Sequence, residues 1–555
     1  MCEKKSVSYL DFGAVGDGVT DDFAAICAAH DYANAHGLPV VTDDGKTYLI
    51  RETMLDGQVR TAIIRTDVIW GSSRIVIDDT DVTDFDGTAR ATSPIFKIEA
   101  DTPALTLNDP ALLEKLAPLT EDTKALPLAL GYAALVIPYD DTHTVYRRYG
   151  ADYIARGGQA SPQNEVLLID AEGNIDPSTP LMFTYDRLTR IEVIRADLSP
   201  LTLRGGTLVT RASRQNAYLK ESDKRARYIQ RNLLINRSNT VLDGVKHLVE
   251  NEMPLEDFLP GERHGAHYWG FYHVTRANNV LLKDCILTGR RSYRFSTYEF
   301  IADHVNKIRL VGCTQSNFWL EEENGTRVGS MSPSPLTNWP RCWGIGGSNF
   351  CKNMEYEGCT LSRFDAHQGL YNGRISNSTI NFMEVVGKGN LILENVTWHS
   401  PCAGPIYNSF VYLREDFGCT WDGTITLKNC TFHVSEGDAN VFFYKFTNWD
   451  YGYRCHFPNL VIDNPTICGL TPGAKIHLVW ERGSVGKEPC MHLPYTQCTP
   501  PKEPTGKDRT NERVNLNPVV PPKFIKVLNN HTPHSFYLPK CEFFADTEKI
   551  GIVEE

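Results

Sequence analysis

The densest run of reactive side chains in this sequence is Ser362-Arg363-Phe364-Asp365-Ala366-His367-Gln368-Gly369-Leu370-Tyr371-Asn372-Gly373-Arg374. Read as a β-strand, it puts Asp365 and His367 on one face and Phe364 and Ala366 on the other. A carboxylate and an imidazole aimed together suit general-base chemistry, in which the imidazole takes a proton and the carboxylate orients or tunes it. Removing a proton from carbon also needs a cation to spread the developing charge and an acid for the leaving oxygen or the opposite face. Arg363, Arg374 and Arg414 are candidates for the cation, because guanidinium groups bind carboxylates bidentately. Tyr371, Tyr407 and Tyr412 are candidates for the acid. Arg290, Arg291 and Arg294 add positive charge in an earlier segment, TGRRSYRFSTYEF. The competing reading makes these arginines solvated turn residues paired with Glu299, Asp303 and Asp416.

Such residues need a rigid element to hold them, and the sequence supplies a repeat. From about Asn232 onward, short alternating apolar runs recur: NNVLLKDCILTG (278–289), NKIRLVGCTQSN (306–317), KNMEYEGCTLSRF (352–364), GNLILENVTWHS (389–400), GTITLKNCTFHV (423–434) and PNLVIDNPTICG (458–469). Cys285, Cys313, Cys359 and Cys430 share one slot, with Val396 and Pro465 aligned to them. Period 2 with β-branched residues excludes a helical solenoid and predicts stacked β coils, each burying its apolar side on the next. The cysteines are then an interior stack of small hydrophobes. Asn395, Asn429 and Asn464 share the preceding slot and predict an asparagine ladder at a turn.

The first fifty residues carry Asp11-Phe12-Gly13-Ala14-Val15-Gly16-Asp17-Gly18-Val19-Thr20-Asp21-Asp22, an Ala-rich helix over 23–34, and VVTDDGKTYLI. This pattern resembles the N-terminal cap of the pectate-lyase-like superfamily, which includes polygalacturonases, lyases and phage tailspikes. The resemblance implies an all-β, right-handed parallel β-helix solenoid with a short capping helix at its open end and a carbohydrate along its long face. Polygalacturonase itself is not expected. Its ordered Asn-x-Asp, Asp-Asp, Gly-His-Gly and Arg-x-Lys set is missing, and the nearest counterpart of the last, Arg374-Ile375-Ser376, lacks the lysine.

Asp365-Ala366-His367 resembles the Asp-Pro-His of alginate C5-epimerases, with Ala366 in place of the proline. That likeness implies removal of the C5 proton of a uronate by His367, with an arginine on the uronate carboxylate. The substrate expected is an anionic poly- or oligosaccharide, handled by lyase or epimerase chemistry. Trp319 and Trp339, in the long loop 317–341, are candidates for stacking on sugar rings, with packing as the rival role. One alternative is a glycoside hydrolase pairing Asp365 with Glu299, Asp303, Glu321–Glu323 or Asp416; carboxylates on coils about 4.8 Å apart meet its spacing with ease. Another is a non-catalytic, tailspike-like glycan binder.

Bulk properties exclude further classes. The net charge of −12 argues against a nucleic-acid partner, and no apolar run reaches a membrane span of about 20 residues. There is no phosphate-binding GxxxxGK[ST] and no GxSxG serine elbow. Fifteen cysteines without a CxxC pair fit neither a zinc site nor a disulfide framework. No cofactor is expected, although calcium on Glu321–Glu323 stays open beside the reading of a solvated loop. Two locations stay open: cytoplasmic, or secreted and lipid-anchored through Cys2 after trimming of a signal. A homo-oligomer also stays open. The expected division is 1–95 for cap and first coils, 96–230 for an inserted β-rich subdomain, 231–470 for the main β-helix, and 471–555 for a loop-rich extension.

Overall fold

The alternating runs become strands that pair in parallel with their counterparts one coil away, in an all-β, right-handed parallel β-helix. The computed structural model describes residues 5–82, 89–146, 148, 160–214, 228–254, 268–291, 297–321, 325, 327–333, 340–344, 346–402, 404, 406–414, 417–418, 420–444, 455–481, 520–538 and 552–554. The chain divides into two units. The first comprises 1–103, 195–347 and 359–361; the second comprises 104–194, 348–358 and 362–555.

In the first unit, Val68–Asp78 pairs in parallel with Thr47–Ile50 and with Leu201–Arg211. Tyr272–Lys283 pairs with Phe300–Val311, from Tyr272↔Phe300 through Lys283↔Val311, at the offset that separates Cys285 from Cys313. Leu201–Arg211 is therefore a coil strand, although it was expected within the inserted subdomain. It buries Leu201, Leu203, Leu208 and Val209 in the core. The helix Phe23–His36 buries Phe23, Ile26, Cys27, Ala29, His30 and Ala33 along one side and stops at Gly37, which has φ 63°. Asp22 stands at its N-cap without capping it by its side chain. The carboxylate instead accepts from the backbone N–H of Val15 (2.7 Å) and Gly16 (3.3 Å) and so ties down the glycine-rich entry loop.

In the second unit, Arg363–Ser376 lies between Ser348–Glu357 and Phe382–Glu394, parallel to both. The ladder continues through Trp421–Lys428, Asn459–Asp463, Ile525–Leu528 and Ile552–Glu554, so coils persist past residue 470, into the stretch expected to be loop-rich. The inserted sheet is antiparallel: Ala134–Val145 pairs with Ser161–Asn164 and Leu167–Ile169, and Arg190–Arg195 pairs with Leu105–Leu107. It has its own core, including Leu113, Val136, Leu167, Ile169, Tyr185 and Ile191.

Both units turn by one device. A residue of positive φ ends these strand runs, and from Gly244 through Asn464 a small buried residue follows it. Gly244, Asp284 and Gly312 hold this corner in the first unit, and Gly358, Asn377, Asn395, Asn429, Asn464 and Asn529 hold it in the second. Asparagine tolerates the left-handed region, and its amide links coils. Asn395 donates to Asn377 and Asn464 donates to Asn429, each at 2.9 Å. The cysteines that follow are buried and reduced, and their thiols point at carbonyls of the previous coil, as Cys313 does at Leu282 (3.3 Å). Replacing Asn429 by Ala is expected to cost about 1–2 kcal/mol of unfolding free energy through strain at positive φ, and replacement by Gly much less, as urea denaturation would read.

Candidate active site

Arg363, Asp365 and His367 alternate onto one face of the strand Arg363–Ser376, while Phe364 and Ala366 are fully buried on the other. Asp365 has no exposed side-chain surface. Its carboxylate accepts from Nη2 of Arg363 (2.7 Å) and from Nη1 of Arg414 (3.2 Å). One coil on, Glu384 occupies the register position of Asp365. Its carboxylate accepts from Nη2 of Arg363 and from Nη1 of Arg414 (3.0 Å). Two carboxylates and two guanidinium groups thus share a buried neutral cluster. Burial alone would raise the pKa of Asp365. The Arg363 and Arg414 charges, with His367 beside them, overcome it and hold the carboxyl down at about 2.

His367 is the member of this group that reaches the surface, with 23 % of its side chain exposed. Its Nδ1 lies 3.5 Å from Oδ2 of Asp365, and its ring meets Phe417 edge-on at 5.5 Å. An ionised carboxylate facing Nδ1 favours the tautomer with the proton there, which leaves the lone pair on Nε2. The strand departs from ladder register here: Ala366 pairs with Val385 but Leu370 pairs with Gly387, and the register toward Ser348–Glu357 also shifts beside Ala366. Such a bulge re-aims a side chain at the expense of backbone pairing.

Several residues expected at a substrate surface are placed elsewhere. Arg363, expected to bind a substrate carboxylate, is 1 % exposed and held by Asp365 and Glu384. Its parity with Asp365 turns it into that residue's partner. Arg414 is nearly as buried and serves the same two carboxylates. Arg374 pairs with Glu394 (2.7 Å) and Glu355 (3.9 Å), beyond the left-handed residues Gly369 and Asn372 that bend the strand. Tyr371, on the same far stretch, lies under the Lys352 ammonium at 5.8 Å. Tyr407 and Tyr412 are buried, and burial pushes the Tyr407 hydroxyl far up. Glu384 and Phe417 were absent from the sequence reading. Aligning RFDA with FMEV by coil register would have found Glu384; Phe417 sits in a connection, where no periodicity points to it.

The first unit holds its own ionisable cluster. Arg290 is buried over the Tyr268 ring (4.0 Å) and 3.8 Å from Glu299, and Arg291 faces solvent. Glu299 lies 2.6 Å from Nδ1 of His247. Burial pushes this carboxyl well above the usual range and the imidazole well below its own. Glu299 has no exposed surface and so no path to a glycosidic oxygen. Asp303 instead faces His304 at 3.1 Å. Trp319 packs edge-on against Phe318 and carries Arg327 over its ring at 5.1 Å. Arg294, Trp339, Glu322, Glu323 and Asp416 lie outside the described residues, among which no group of three or more His, Cys, Asp or Glu could hold a metal and no helix is long and apolar enough to cross a membrane.

Removing one member of the four-charge cluster strands the others in a dry interior. Arg363→Met is therefore expected to lower stability by about 3–5 kcal/mol, measured by denaturant unfolding. The lowered pKa of Asp365 contributes stability that is complete above about pH 4 and lost as pH falls toward about 2. Urea midpoints between pH 5 and pH 2 should fall more steeply for the wild type than for Asp365→Asn.

No protein-family model matches the chain, and no match was found among curated proteins. Solved structures similar to it include the tailspike gp61 of Pseudomonas phage phi297 (12 % identity, 88 % of this chain and 83 % of that one, TM-score 0.46). The gp54 tailspike of Acinetobacter baumannii bacteriophage AP22, solved with A. baumannii capsular saccharide, is similar at 10 % identity over 99 % of this chain and 79 % of that one, with a TM-score of 0.48. PfbA, a surface adhesin of Streptococcus pneumoniae, is similar at 11 % identity over 87 % of this chain and 96 % of that one, with a TM-score of 0.35.

Proposed function

We propose that this chain acts on a uronate-containing poly- or oligosaccharide and removes the C5 proton of the uronate, with His367 as the base, in lyase or epimerase chemistry. The observation that carries this reading is the pairing of a part-exposed imidazole with a buried, ionised carboxylate on the same strand face. Asp365 fixes the tautomer and offsets the charge that forms on the ring when Nε2 takes the proton. Arg414 donates to Asp365 and lies 5.6 Å from the Phe417 ring that the imidazole also meets, so it holds in place both groups that pack on the base.

The hydrolase alternative is disfavoured by the same geometry. A glycosidic acid must carry a proton at working pH and touch the leaving oxygen. Asp365 is ionised and has no exposed surface, and Glu384 is engaged by the same two arginines.

The test is ultraviolet absorbance during incubation with a panel of polyuronates and glycosaminoglycans, wild type beside His367→Ala, with deuterium uptake at C5 followed by NMR in D2O. A C4–C5 unsaturated product identifies elimination, and deuterium uptake without it identifies epimerisation. Either activity should drop about 100-fold or more in the variant, the usual cost of losing a general base. New reducing ends without unsaturation would point to hydrolysis. Binding of a glycan without any product would identify a non-catalytic β-helix, and either result would overturn the proposal.

A further inference from the structure

The inserted sheet does more than decorate the coils of its unit. Its Glu165 is buried, and the carboxylate accepts from the backbone N–H groups of Met182 (2.8 Å) and Phe183 (3.0 Å) and from the Tyr185 hydroxyl (3.4 Å). The remaining partner comes from a coil strand. Lys352, in Ser348–Glu357, brings its buried ammonium 2.7 Å from Glu165 and donates to the Pro180 carbonyl at 2.6 Å. An ammonium on the coil and a carboxylate in the insert, both out of water, leave each element with a buried charge when the other is missing.

Beside this pair the insert reaches the two residues that follow His367. Ser161 Oγ lies 3.1 Å from Oε1 of Gln368 and donates to it. Gly369 has φ 65°, and a Cβ placed on it would lie 2.1 Å from the Tyr146 hydroxyl, so the insert's tyrosine fills the space that any other residue would need. The Tyr146 ring is packed edge-on by Phe350 (5.5 Å) and Phe183 (5.9 Å). It belongs to one apolar cluster with Val145, Val386 and Phe417. Phe417 in turn meets the His367 ring. The bulge falls in this same stretch, so the backbone around His367 gives up part of its ladder register where the insert packs.

We infer that the inserted sheet is a positioning element for His367: Tyr146 holds Phe417 and the Gly369 turn in place, and the Glu165–Lys352 pair latches the sheet onto the coils. This rests on the reading of His367 as the base. Tyr146 is a positioning residue, since it acts through Phe417 and Gly369. A structural role alone would affect melting; positioning also affects the environment of one imidazole.

The experiment is an NMR titration of the full chain labelled with 15N-histidine, in which the His367 resonance is assigned by its loss in His367→Gln. Tyr146→Ala should move the His367 midpoint by about half a pH unit or more, while the buried His30 and His247 resonances stay in place. Tyr146→Phe, which keeps the ring, should restore the wild-type midpoint. On a turned-over substrate, Tyr146→Ala should lower kcat about 10-fold or more with KM little changed, with a shifted pH profile and rescue by Tyr146→Phe. Should Tyr146→Ala not fold, Gly369→Ala, which forces the tyrosine aside, should shift the same midpoint. An unmoved His367 midpoint in a folded Tyr146→Ala or Gly369→Ala protein would overturn the inference, even if His367 is essential for turnover. A moved midpoint in a protein that turns nothing over would instead leave the positioning standing and remove the base.

Discussion

A coil can return on itself only if the backbone makes a corner that an ordinary L-residue resists, and here each such corner is a single residue of positive φ. Glycine takes it without strain, and asparagine takes it while lending its amide to the next coil. Because the corner comes at the same place in successive coils, the small residue after it points inward from Gly244 through Asn464, and cysteine, valine, serine or proline fits there. The corner therefore fixes the phase of each strand, and phase decides which side chains stack. Asp365 and Glu384 lie side by side because their coils turn in step.

That proximity is costly. Two carboxylates on adjacent coils repel, and burial deprives them of water. Arg363 comes from the same strand face and Arg414 from the following coil, and together they balance the charge within a few ångströms. The consequence for chemistry is subtraction. With both arginines and both acids committed to one another, the cluster has no guanidinium turned outward as a clamp. What it offers is one fixed, ionised carboxylate beside one imidazole. His367 lies where the ladder slips register, so its ring is set by packing as well as by strand geometry.

The coil architecture was legible because its signals repeat. The Cys285, Cys313, Cys359 and Cys430 slot and the asparagine slot each recur, and repetition separates a pattern from chance. Asp365 and His367 were legible because alternation is a local rule. The roles of Arg363 and Arg414 were not, since an arginine reads the same whether it faces solvent or neutralises a buried acid; the difference lies in Glu384, one coil away. Leu201–Arg211 was assigned to the insert because the early coils lack the cysteine slot. Tyr146 and Phe417 carry no periodicity at all. Their significance arises from the space beside Gly369, which exists only after folding.

The insert also imposes an order on assembly. Glu165 and Lys352 are 187 residues apart in the chain. At ribosomal rates of about 5–20 residues per second, the carboxylate emerges roughly 10–40 s before the ammonium that will cover it. Through that interval the antiparallel sheet can form on its own core, but the face that will receive Lys352 and Gly369 has nothing to dock against. The surface around His367 is consequently among the later parts of the molecule to be completed, and a nascent chain carries its inserted sheet as an unfinished wall until the coils that it leans on have been made.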